Sequence, residues 1–153
     1  MTLLPYFGTI DLHDDYFEAS FTTTKGQDVS LTIDFEGDEP KTTDLQRVAS
    51  FLDRLEEQAK TIKDQLLTSA FAEEVEEYID HHRSELADEP QMQSVTSSEQ
   101  FVDALQLYAI RIYPTLEESF VSIDFTIDAN LTQYVLMVNL TPDLSIHDIA
   151  MES

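Results

Sequence analysis

The stretch EEVEEYIDHHRSELADE, from Glu73 to Glu89, sets two adjacent histidines in a run of carboxylates. Imidazoles beside acids can hold a metal ion or move a proton near neutral pH. Spacing decides whether these two can act together. Successive helical residues stand about 100° apart, so His81 and His82 point to different faces. Helical histidines that share a zinc ion are set at i,i+4, a pattern this sequence lacks. His82 falls in the apolar arc of Phe71, Val75, Tyr78, Ile79 and Leu86, and is expected to be a buried polar residue. His81 is expected in water, near Glu74, Glu77 and Glu85. A divalent site of Glu77, His81 and Glu85 would need three ligands from one straight helix to converge, which its geometry disfavours.

Other chemistry is scarce. The chain has no cysteine, which excludes thiol catalysis, thiolate zinc sites and disulfides. Its three glycines, Gly8, Gly26 and Gly37, cannot write a phosphate loop or a dinucleotide fingerprint. There is no Gly-x-Ser-x-Gly elbow. His13-Asp14-Asp15 and His147-Asp148 read as incidental neighbours. No catalytic, cofactor-binding or metal-ligating residue is assigned. An enzyme or small-molecule binder would need a pocket at His82, with a sheet residue such as Tyr108 or Tyr134 beside it.

Charge is the strongest compositional feature. Asp and Glu total 31 against 8 Lys and Arg, a formal net charge of −23. Five of the eight cations fall between Lys41 and Lys63. A field of that sign repels phosphate backbones and anionic lipid and steers cations inward. The expected partner is a basic protein, with no direct nucleic-acid or membrane contact. No apolar run approaches the roughly 20 residues of a membrane span, and the first residues lack the pattern of a signal peptide. A cytoplasmic monomer or homodimer is expected.

The elements that would position these residues follow from periodicity. FEASFTTT and VSLTIDFE alternate apolar with polar, as half-buried strands do, and Lys25-Gly26-Gln27-Asp28 between them predicts a hairpin. YFGTIDL is a shorter strand. Thr43 and Gln46 suggest a capping box that opens one helix running to Leu66. A second helix is predicted from Ser69 to Ala87, then a polar connector, DEPQMQSVTSS. A second capping box, Ser97 with Gln100, opens a short helix. LYAIRIYP, FVSIDFTI and QYVLMVNL are three further alternating strands.

Strands, then helices, then strands point to one α+β domain over residues 1–153. The expected architecture is a two-layer sandwich, a mainly antiparallel sheet with one face covered by two or three helices. The other face would carry Ser30, Thr32, Asp34, Glu36, Arg111, Ser122, Asp124, Thr126, Gln133 and Asn139. On this reading Asp34, Glu36, Arg111, Asp124 and Thr126 form an open, acidic interaction face.

Several blocks in order, YFGTIDL, VASFLDRL, YIDHHRSEL, LYAIRIYP, FVSIDFTID…TQYVLMVNL and the terminal IAMES, resemble the DUF2004 family of small bacterial proteins. The resemblance spans nearly the whole chain. It implies a compact bacterial α+β domain with an antiparallel sheet, and no assigned activity or site residues. His81 departs from the aromatic residue expected there, and the connector at Asp88–Ser98 is longer than the family pattern.

The functional expectation is a non-catalytic, immunity-like protein-binding domain that uses the acidic sheet face. Two alternatives stand beside it: the His82 pocket already described, and a DNA mimic whose carboxylates are spaced like phosphates. A domain whose acidity only suits a saline cytoplasm is a fourth reading.

Overall fold

The computed structural model describes residues 2–153. A short hairpin, β1 (Thr2–Leu4) and β2 (Gly8–Ile10), precedes β3 (Tyr16–Thr22) and β4 (Asp28–Asp34). The helical layer follows: α1 (Thr42–Asp53), α2 (Leu55–Gln65), α3 (Ala72–Glu85), α4 (Pro90–Gln93) and α5 (Ser98–Ala104). Four strands then close the chain: β5 (Gln106–Ile112), β6 (Val121–Thr126), β7 (Val135–Leu140) and β8 (Ile146–Glu152).

Strands β3 to β8 form one six-stranded sheet in sequence order. Every pairing is antiparallel except β4 with β5, where Leu31 lies opposite Ile110. A parallel pair cannot be joined by a tight turn, and here the whole helical layer serves as the crossover. The alternating residues Leu31 and Ile33, Ile110 and Ile112, Ile123 and Phe125, and Leu136 and Val138 share one face and are buried. Helix residues Val48, Phe51, Leu52, Leu55, Ile62, Val75, Tyr78, Ile79 and Phe101 close the same apolar cluster. The fold is the expected α+β two-layer sandwich. Burial of these side chains, each contributing about 1.5–3 kcal/mol, holds the two layers together.

Four local expectations are corrected. The helix from Thr43 to Leu66 is two helices, broken at Arg54, whose N–H bonds Phe51 three residues back. The apolar stripe runs through the break from Phe51 and Leu52 to Leu55, so periodicity could not show it. The cap is not the Thr43–Gln46 pair: α1 starts at Thr42, and the Asp44 carboxylate accepts the Lys41 N–H at 2.8 Å. The polar connector contains α4, anchored by buried Met92. The eighth strand, Ile146–Glu152, was not anticipated. It is a half-buried edge with a register shift near Asn139/Leu140, and its alternation is correspondingly faint.

Ser97 caps α5, its Oγ accepting the Gln100 N–H at 3.1 Å, but the expected box is not reciprocal: Gln100 Oε1 accepts the Thr96 N–H at 2.8 Å instead.

Candidate functional site

The second face of the sheet is not the open acidic surface its sequence pattern suggested. Asp124 and Thr126 are buried, with Ser122 and Asn139 beside them. Strand β6 lies in the middle of the sheet, between β5 and β7. Arg111 on β5 reaches across and grips Asp124 with two bonds, Nη1 to Oδ2 at 2.6 Å and Nη2 to Oδ1 at 2.9 Å. Nη2 also donates to the Ser122 hydroxyl at 3.0 Å. A fork-to-carboxylate pair of this kind fixes both groups, and it neutralises the one carboxylate at the face's centre. The hydrogen bonds that Arg111 donates to Asp124 raise the Arg111 pKa against the opposing effect of burial. Asn139 is likewise occupied, donating to Asp148 at 2.8 Å. The Thr126 hydroxyl is buried and makes no hydrogen bond.

Asp34 and Glu36 remain reachable at the margin of that face, Asp34 on the same side of β4 as Ser30 and Thr32. Asp34 ends β4 and Glu36 lies in the turn beyond it, at φ 53°. Two carboxylates build this turn: Asp34 accepts the Glu36 N–H and Asp15 accepts the Gly37 N–H, each at 2.8 Å. Gly37, at φ 81°, takes the left-handed conformation that a side chain would disfavour.

The strand order shows what lies around them. Because β4 and β5 are parallel, their last residues reach the same end of the sheet, together with the start of β3, β6 and β8 and the end of β7. The loops there, residues 11–15, 35–41, 113–120 and 141–145, carry nine carboxylates against one lysine, Lys41. At the opposite end, loops 23–27 and 127–134 carry one carboxylate, Asp128, and one lysine, Lys25. The rim is held in shape as well as charged: Thr115 donates to Asp38 at 3.2 Å, which ties the β5–β6 loop to the β4–α1 loop. Of these nine acids the sequence pattern singles out only Glu36, with Asp34 next to it at the end of β4. The missing signal was topology, since only strand order brings four distant loops to one end.

His82 is buried, as expected, at 1% exposure. Its Nδ1 lies 2.8 Å from the Tyr78 carbonyl oxygen, which can only accept, so Nδ1 carries the proton. Nε2 then accepts from the Thr132 hydroxyl at 3.0 Å, and that oxygen accepts the Tyr134 N–H at 3.1 Å. Burial pushes the His82 pKa down and keeps the ring neutral, although its bond to the Tyr78 carbonyl opposes the shift. The shallow depression beside it, about 310 Å³, is lined by His81, Glu85, Leu131 and Tyr134 among others, and not by Tyr108. Both ring nitrogens are engaged within the fold, which leaves none aimed at a substrate. His81 is half-buried rather than wet, its ring edge-on to Tyr134 at a centroid distance of 5.2 Å. Glu77, His81 and Glu85 do not converge: among the described residues, no group of three or more His, Asp or Glu side chains is placed to hold a metal ion.

No helix of the described residues is long and apolar enough to cross a membrane. Comparison with known proteins gives no match to a family model, to a curated protein or to a solved structure. The likeness to DUF2004 rests on its sequence blocks alone.

Proposed function

We propose that the chain is a non-catalytic binding domain that captures a basic protein through the acidic rim at one end of its sheet. The carrying observation is the asymmetry of charge between the two ends, nine carboxylates to one lysine against one to one. Carboxylates gathered on one rim, on a chain of net charge −23, attract a cationic surface more strongly than the same charges spread evenly. Pinning of the rim by Asp15, Asp34 and Thr115 lowers the ordering cost of association. The central face, with Asp124 paired to Arg111, is the flank of this site and not its centre.

Helix α3 offers the competing anionic surface, with Glu73, Glu77 and Asp80 exposed. The two separate in one experiment. The immobilised chain is challenged with lysate at low salt, alongside a rim variant (E36Q, D38N, E39Q, E117Q) and an α3 variant (E73Q, E77Q, D80N). The rim variant is expected to lose the retained basic protein while the α3 variant keeps it. Equal loss from both variants would mean diffuse attraction and would refute the rim as a site.

A further inference from the structure

A cavity of about 570 Å³ lies away from the rim, where the β3–β4 turn, α2 and the start of β5 meet. Its size falls within the range of small-molecule sites. The floor is apolar: Ala59, Leu105 and Phe125 are buried, and Leu107 is half-buried. Around the mouth stand Lys25, Lys60 and Lys63, three of the eight basic residues in a strongly acidic chain. The mouth has a fixed shape. Glu56 on α2 accepts the Thr24 N–H at 3.2 Å and the Thr24 hydroxyl at 2.7 Å, which ties the hairpin turn to the helix.

Lys63 is the unusual member. Its Nζ donates to the carbonyl oxygens of Asp103 at 2.8 Å and Leu105 at 3.0 Å, just where α5 ends. An ammonium has three donors, so one N–H is left over. Among the described residues no carboxylate forms an ion pair with it. Burial lowers its pKa, and Lys25 and Lys60 push the same way against Asp103 and Asp64.

Carboxylates also line the cavity, but three of the four are engaged. Glu56 holds Thr24, Glu57 pairs with Arg54 at 2.8 Å, and Asp64 pairs with Lys60 at 3.1 Å. Only the Asp103 side chain is left. Lys25 and Lys63 are thus the cations without a carboxylate in contact.

We propose that this cavity binds a small amphiphilic carboxylate, its apolar body on Ala59, Leu105, Leu107 and Phe125 and its head between Lys63 and Lys25. The head supplies a charge-assisted acceptor for the spare Lys63 N–H. The body removes apolar floor from water. The net charge of the chain repels anions at long range, so affinity rests on contacts made inside the cavity.

Octanoate, octanol and acetate are titrated into the full chain and followed by calorimetry and by proton–nitrogen NMR. Octanoate is expected to saturate one site, shifting the amides of Lys25, Gly26, Lys63 and Leu107, while acetate does not saturate. Octanol is expected to bind about tenfold more weakly, the usual order for one lost charge-assisted hydrogen bond. Lys63→Gln should weaken octanoate by about the same factor, and Lys25→Gln in the exposed turn by a smaller one. Circular dichroism checks that each variant folds, and Lys25→Gln keeps the test decisive if Lys63→Gln does not. Octanol binding as tightly as octanoate, affinity unchanged in every folded lysine variant, or no saturable binding would each overturn the proposal.

Discussion

Replacing Arg111 with methionine is expected to destabilise the fold by about 3 kcal/mol. The loss comes from the carboxylate left behind. Asp124 is buried in the middle strand, and its two oxygens accept from Arg111 at 2.6 and 2.9 Å. Without the guanidinium that carboxylate must stay charged out of water or take up a proton, and either costs free energy. The side chain of Arg111 is about one-third exposed, at 32%, which places the effect at the low end of the range for broken buried pairs. Replacing both partners with apolar residues, Arg111→Met and Asp124→Leu together, should return most of the loss, because no unpaired charge then remains. Urea denaturation of the native chain and the two variants measures this. A single variant within about 0.5 kcal/mol of native would mean that water reaches Asp124 and that the central face is open after all.

The second large effect concerns His82. The ring bridges α3 to the 127–134 loop through the Thr132 hydroxyl, so His82→Leu should cost about 1–3 kcal/mol at pH 8 by orphaning that buried contact. The pH dependence tests whether the folded ring is neutral. Burial holds the folded pKa below the ordinary value of about 6.5 that the unfolded chain retains. As the pH falls through about 6.5, the unfolded state takes up a proton first, and stability decreases until the folded ring also titrates. The contribution of His82 is therefore complete above that pH and lost below it. His13, His81 and His147 are present in both proteins, so the difference between native and His82→Leu isolates this term. The native advantage should shrink between pH 8 and pH 5. An advantage that grows on acidification would mean a ring charged in the fold.

Much of the architecture was legible because alternation and helical spacing report burial on one face. Phe17, Phe21, Leu31 and Ile33 set the β3–β4 hairpin, and Val75, Tyr78, Ile79 and His82 set the buried side of α3. The same logic failed for the second face. Ser122, Asp124 and Thr126 are polar and alternate correctly, yet a polar residue in a central strand can be hidden by its neighbours, and no one-dimensional pattern distinguishes hidden from wet. The Arg111–Asp124 pair is a contact between strands, invisible until their register is known. The rim was harder still. The β3–β4 hairpin brings Asp15 to Asp38, and the loop of Glu117 joins them only because β4 and β5 run parallel, the one such pair in a mainly antiparallel sheet. The lysine-rimmed cavity combines the β3–β4 turn, α2 and β5 for the same reason.

The claim that one sheet end is the docking surface is met most directly by a proton–nitrogen NMR titration with a short peptide of alternating lysine and alanine. The account predicts amide shifts gathered in loops 11–15, 35–41, 113–120 and 141–145, with Gly37 and Thr115 among the largest and α3 little changed. Shifts led by Glu73, Glu77 and Asp80 on α3, or spread evenly over the chain, would contradict it.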